Sequence, residues 1–168
     1  KKVKMDIGKR TYIKDCFNKA GEVEIYGWIH ELRDISKIKF LVLRDITGRI
    51  QVVGIKGETK DEVFEKMGEF PRESVLRIKG TLKDSKQAPG GKELVPSVIE
   101  LIAKASHPLP IDVSDHSKTE LPKRLDYRFV DLHRERAQAI FIVNNTLLKA
   151  YREFMDKEGA IEAIFPSI

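Results

Sequence analysis

A small five-stranded β barrel with added helices is the fold class the sequence predicts, and three observations carry it. From Val23 onwards, apolar and polar residues alternate in short runs separated by turn signals, the period-2 pattern of half-buried strands. That alternation gives way once, over residues 60–70, to helical spacing, and then resumes. With 168 residues, 41% of them hydrophobic, the chain has material for one full core and an appendage rather than two complete domains.

The elements follow in order. Residues 1–20 are basic and irregular, with a helical tendency from Tyr12 to Phe17. In the first strand Val23, Ile25 and Ile29 share one face, and Tyr26, Trp28 and His30 the other. Residues 38–44 form a second strand, with Leu41 and Leu43 opposite Phe40 and Val42. Asp45-Ile46-Thr47-Gly48 is a turn, and residues 50–55 a third strand. Val63, Phe64 and Met67 mark the helix, which Gly68 and Pro71 terminate. Residues 75–82 and 94–103 are the last two strands, joined through Pro89-Gly90-Gly91, and Pro96 predicts an edge or a bulge in the fifth. This β-β-β-α-β-β order, with its helix between strands three and four, is that of a Greek-key barrel of the OB type over residues 1–105.

Beyond it the texture changes. His107-Pro108-Leu109-Pro110 and the polar run after it read as a hinge or linker over residues 106–133. A long helix is expected from about 134 to 158, striped by Ile140, Val143, Leu147, Tyr151, Phe154 and Met155 and closed by Gly159. A short strand over residues 161–165 and then Pro166 complete a third segment, 134–168. The helical stripe exceeds what one short strand can cover, so it is expected to pack on the barrel, on a second copy, or on a further domain.

Composition narrows the function. The net charge of +5 fits a polyanionic partner only mildly, because 31 basic residues face 26 acidic ones. A single cysteine, Cys16, excludes an internal disulfide framework and a cysteine-rich metal site. No P-loop, nucleophile–base pair or metal cluster is visible. No apolar run approaches the ~20 residues of a membrane span, and no secretory signal pattern appears, so a cytoplasmic, non-membrane protein is expected.

Barrels of this type bind single-stranded nucleic acid across strands two and three and the flanking loops. On that surface the chain offers Phe40 as a π-face and Gln51 as donor and acceptor. Arg33 is assigned to the first loop, with His30 before it, and Pro89 and Glu93 flank the loop between strands four and five. Each residue alone also fits a plainer role: Phe40 covering an apolar patch, Trp28 plugging a barrel end, His30 and Gln51 as ordinary strand residues, Arg44-Asp45 as a local turn pair.

Together these residues resemble a known family. The run GWIHELRDISKIKFLVLRDITGRIQVV is similar to the anticodon-binding domain of aspartyl-tRNA synthetases of the archaeal and eukaryal kind. RLDYRFVDLHR, residues 124–134, resembles the opening of their catalytic domain, and EGAIEAIFPSI, residues 158–168, resembles motif 1 of class II synthetases. Lysyl- and asparaginyl-tRNA synthetases share the barrel, while LDYRFVDL favours the aspartyl branch.

The resemblance implies that Phe40 stacks on the middle anticodon base, a uridine, and that Gln51 bonds its edge. It places Glu93 against the third base, Arg33 near the anticodon backbone or bases, and Pro166 at a homodimer interface. His30 with Pro89 is the pair carried by enzymes that charge tRNA(Asn) as well as tRNA(Asp). It further implies ATP and Mg²⁺ as cofactors of the full enzyme. Motifs 2 and 3 are absent from this sequence, so the chain alone is expected to have no catalytic residues, to bind neither cofactor and to be inactive. Ala160 and Phe165 depart from the usual motif 1, which has an aromatic and a threonine there. The competing readings are a stand-alone truncated paralogue, a sequence-neutral single-strand binder, and a structural dimerisation module.

Overall fold

The computed structural model describes residues 10–114 and 118–164, and the chain divides between His107 and Pro108 into two compact units. In the first unit β1 (Gly21–Ile35), β2 (Ile38–Arg44), β3 (Arg49–Ile55), β4 (Val75–Asp84) and β5 (Lys92–Ala103) close into a barrel in the order β1-β2-β3-β5-β4. The 15-residue β1 makes closure possible, since residues 21–28 pair with β4 and residues 28–35 with β2. A short parallel contact, Gln51↔Glu93 and Val52↔Leu94, joins β3 to β5 and leaves no free sheet edge. The expected bulge near Pro96 is present: Lys79 pairs with Val98 but Gly80 with Pro96, so Ser97 is the extra residue.

The barrel is filled from the faces that alternation selects. Ile25, Ile29, Leu41, Leu43, Ile50, Val52, Leu76, Ile78, Leu94 and Ile99 form one buried cluster. Two short helices extend it, α1 (Ile13–Cys16) through Ile13 and Cys16, and α2 (Asp61–Lys66) through Val63. α2 is shorter than the expected 60–70 helix, although Met67 just beyond it is still fully buried. Gly54 explains the close approach on β3, because a Cβ there would collide with Met67 Sδ.

The Arg44-Asp45 pair divides its labour, in contrast to the local turn pair expected. Asp45 Oδ1 accepts from Thr47 N (2.6 Å) and Gly48 N (3.1 Å), while Oδ2 accepts from Ile13 N (2.9 Å), so one carboxylate organises the β2–β3 turn and fixes α1. Arg44 turns into the barrel wall and ion-pairs with Glu73 (Nη2–Oε2 3.0 Å), both side chains buried. Lys39 was not anticipated as a wall residue either. It follows the core phase of β2, and its ammonium lies 4.5 Å from the Phe64 ring centroid and 3.7 Å from Glu65.

A second ion network ties β1 to β4 and β5. Arg77 donates to Glu24 Oε1 (2.7 Å) and to Glu100 Oε2 (2.7 Å), and the Tyr26 hydroxyl donates to Glu24 Oε1 (2.7 Å). Hydrogen bonding from Arg77 brings the Glu24 carboxyl down to about 2 from 4.5, against the opposing effect of burial. A depressed carboxylate stabilises the fold above its unfolded pKa and loses that contribution as pH falls. Urea unfolding midpoints are therefore expected to decline as pH drops from about 4.5 towards 2, with a flatter profile in Glu24→Gln.

The second unit is helical. α3 (Leu121–Asp126), α4 (Arg128–Asp131) and α5 (Glu135–Lys157) follow a segment whose Ile111 and Val113 pack with Val130 and Leu109. Within the 106–133 span read from sequence as a hinge or linker, residues 121–126 and 128–131 form short helices, and Leu109, Ile111, Val113 and Val130 a small apolar cluster. The RLDYRFVDLHR run closes on itself: Asp131, fully buried, accepts from Arg124 (2.8 Å) and Arg128 (2.7 Å) and lies 3.5 Å from Arg134. Burial opposes ionisation of Asp131, but the Arg124 hydrogen bond and the three guanidinium charges hold its carboxyl below the usual range.

Along the stripe of α5, Ile140, Val143, Leu147, Tyr151 and Phe154 are exposed and Met155 is half-buried. Residues 161–164 form no strand; a strand needs a backbone to pair with, and none lies beside them among the described residues. Phe165 and Pro166 fall outside the described residues. No described helix is long and apolar enough to cross a membrane.

Candidate functional site

A cleft of about 420 Å³ opens on the outer face of β1–β3, beneath the loop between β4 and β5. Phe40, Val42 and Gln51 form its floor, Glu31, Arg33 and Ile35 one wall, and Gln87 and Pro89 the other. The strand registers explain the layout. Glu31, Val42, Gln51 and Glu93 are successive pairing partners across β1, β2, β3 and β5, and Arg33 pairs with Phe40 in the neighbouring row. Directly paired side chains lie about 4.5–5.5 Å apart and diagonal ones about 7–8 Å, so Phe40 and Gln51 are diagonal neighbours.

A bulge at His30 decides which β1 side chains reach this face. Ile29 pairs with Leu43 but Glu31 pairs with Val42, which leaves His30 as the unpaired extra residue. The phase of β1 reverses there. Ile25 and Ile29 face the core before the bulge and Leu32 packs against it afterwards, so Glu31, Arg33 and Ile35 turn outwards. Arg33 is consequently a strand residue rather than a loop residue, since the β1–β2 connection is only Ser36-Lys37. Its guanidinium is held by Glu31 (Nε–Oε1 2.8 Å).

His30 is not on the cleft surface where the sequence placed it. It is 8% exposed, behind the bulge, with Nδ1 3.4 Å from Arg44 Nη1. Desolvation, reinforced by Arg49, Arg44 and Arg72, pushes its pKa below the ordinary imidazole value, so the ring is neutral at neutral pH. Alternation places His30 outwards only in an unbroken strand, and the bulge breaks β1 at that residue. Trp28 is half-buried with the Arg44 guanidinium 5.9 Å from its ring centroid.

Phe40, Gln51, Arg33 and Pro89 are thus brought together. Glu93 lies one strand beyond the floor, half-buried and paired with Gln51. Glu31, Ile35, Val42 and Gln87 complete the cleft and were not singled out from sequence. The even spacing of Glu31, Arg33 and Ile35 was a visible signal for a shared face, but which face depended on the bulge. Chemically the cleft offers one aromatic surface, one guanidinium fork and two carboxamides, and neither carboxamide is taken up by a hydrogen bond to another described residue. Among the described residues no group of three or more His, Cys, Asp or Glu is arranged to hold a metal ion.

Residues 23–102 match the family model described as an OB-fold nucleic acid binding domain, tRNA anti-codon. The chain is 42% identical over 147 residues to an aspartate–tRNA(Asp/Asn) ligase of Methanopyrus kandleri, covering 88% of this chain and 34% of that protein. It is 44% identical to the enzyme of the same name from Methanospirillum hungatei, covering 83% of this chain and 32% of the relative. The chain therefore spans about a third of the length of the curated relatives it matches. Among solved structures, asparaginyl-tRNA synthetase from Pyrococcus horikoshii complexed with asparaginyl-adenylate superposes with a TM-score of 0.83 at 32% identity, covering 93% of this chain and 36% of that one. Aspartyl tRNA synthetase from Entamoeba histolytica, at 22% identity and a TM-score of 0.82 over 94% of this chain and 39% of its own, shares the fold.

Proposed function

We propose that the cleft binds the anticodon loop of tRNA(Asp) and tRNA(Asn), a reading supported by the match of residues 23–102 to the OB-fold nucleic acid binding domain of the tRNA anti-codon family. The observation that carries this reading is the pairing of Phe40 with an unengaged carboxamide, Gln51, one diagonal step away on the same face. An unstacked base laid on the Phe40 ring presents its Watson–Crick edge to a group that both donates and accepts. Arg33, fixed by Glu31, supplies a guanidinium beside that base, suited to a phosphate or to a base acceptor. Pro89 closes the opposite wall, and Glu93 extends the row beyond Gln51. His30 acts from behind, by setting the bulge that aims Arg33.

In a protein containing this chain, the barrel holds the anticodon while aspartate is activated with ATP and Mg²⁺ and transferred to the tRNA elsewhere. Homodimerisation, with Pro166 at the interface, belongs to the same proposal.

The test is binding of the chain to stem-loops bearing GUC, GUU and an unrelated anticodon. Tight binding to the first two alone is expected, and Gln51→Leu is expected to weaken both by roughly tenfold. Equal binding to all three would replace this reading with a sequence-neutral single-strand binder, and no binding with a structural module.

A further inference from the structure

We propose that Gln87 reads the third anticodon base, and that the freedom of its carboxamide to turn over is what admits both C and U there. The inference rests on the anticodon reading above and adds a specificity residue to it.

GUC and GUU differ only in a pyrimidine whose 4-position carries an amino donor in C and a carbonyl acceptor in U. A side chain that bonds the 4-substituent of both must donate in one case and accept in the other. Arg33 only donates, and Glu31 only accepts when ionised. Phe40, Val42, Ile35 and Pro89 do neither through their side chains. Gln51 and Gln87 alone in the cleft can do both. Gln51 is half-buried in a strand row between Val42 and Glu93, one diagonal step from the stacking ring, where it meets the base common to both anticodons. Gln87 is exposed and stands on the opposite wall.

The backbone that presents Gln87 is firmly held. Ala88 is buried and its N–H donates to Ser85 O (3.2 Å), Ser85 N donates to Gly91 O (3.0 Å), and Gly91 N donates to Ala88 O (2.9 Å). Gly90, at φ 80°, lies against the Phe17 ring so closely that a Cβ would collide with it, and Phe17 packs on the barrel core. The loop is therefore anchored on both sides of residue 87 while the carboxamide itself has no hydrogen-bonding partner among the described residues. Rotation of the terminal amide by half a turn exchanges Oε1 for Nε2 at one place, and no hydrogen bond from the described residues opposes it. Oε1 then accepts from the amino group of C, and Nε2 donates to the carbonyl of U.

The experiment measures the ratio of affinities for GUC and GUU stem-loops with the 168-residue chain and its variants. Wild type is expected to bind both within about threefold, and Gln87→Glu to prefer GUC by about tenfold or more, because a carboxylate accepts from C and repels the carbonyl of U. The ratio corrects for any general loss caused by the added negative charge. Gln87→Leu is expected to weaken both loops alike, by about tenfold. A stem-loop with 2-pyrimidinone at the third position, which has no 4-substituent, is expected to bind wild type only as well as natural loops bind Gln87→Leu. Thermal unfolding of each variant confirms that an exposed substitution leaves the fold intact. An unchanged ratio in Gln87→Glu, or a shift produced by Gln51→Glu instead, overturns this proposal alone. Failure of wild type to bind either loop overturns the anticodon reading and this inference with it.

Discussion

Phe40→Ala is expected to weaken binding of GUC and GUU stem-loops together, by roughly five- to a hundredfold, while leaving the unfolding midpoint nearly unchanged. The magnitude follows from base–aromatic stacking, which is worth about 1–3 kcal/mol per base. The small effect on stability follows from position. Phe40 faces outwards, half-buried, whereas its neighbours Leu41 and Leu43 are fully buried in the barrel cluster. Leu41→Ala should show the opposite pattern, losing about 2–5 kcal/mol of stability through the cavity it leaves. Isotherms measured beside urea titrations on the two variants separate the roles. Unaltered RNA binding in a folded Phe40→Ala protein would remove the cleft from consideration as a base-binding site.

Arg44→Ala is expected to cost about 3–5 kcal/mol of barrel stability. Arg44 Nη2 lies 3.1 and 3.0 Å from the two Glu73 oxygens, with both side chains buried, so removing the guanidinium takes two charge-assisted hydrogen bonds from a buried carboxylate. Glu73 adds to the sensitivity because it holds a left-handed backbone, φ 66°, fixed by hydrogen bonds between its own N–H and Ile29 O (2.8 Å) and between Ile29 N and Ser74 O (2.9 Å). Replacing both partners, as Arg44→Met with Glu73→Leu, is expected to recover much of the loss. Urea unfolding of the three variants is the measurement. A cost below about 1 kcal/mol for Arg44→Ala would show that water reaches the pair. The same pair lies beside His30 at the bulge, so Arg44→Ala should also loosen the aim of Arg33 and lower RNA affinity.

The outline of the barrel was legible because its elements are local. Period-2 runs ended by Asp45-Ile46-Thr47-Gly48 and Pro89-Gly90-Gly91, with one helical interval, leave few topologies open, and the boundaries of β2 match the expected 38–44. Helix α5 was equally clear from its stripe and its glycine stop. Phe40 and Gln51 were found because their parity on β2 and β3 is unbroken, so counting residues gave the correct face.

What counting could not give depended on contacts between distant residues. No residue type announces a bulge at His30, yet that one unpaired residue turns His30 inwards and Arg33 outwards, because each strand position alternates face and an insertion reverses every position after it. Arg44 looked like a turn residue, since its partner Glu73 is 29 positions away. Gln87 was unremarkable in a polar loop until Gly90 packing on Phe17 brought that loop over the β2–β3 face. Sequence by itself determined the five barrel strands, the long helix and the outward face of Phe40 and Gln51, because hydrophobic period and turn chemistry act over a few neighbours. The tertiary structure decided which charged and carboxamide groups share the cleft, because barrel closure and a one-residue register shift set distances between residues far apart in the chain.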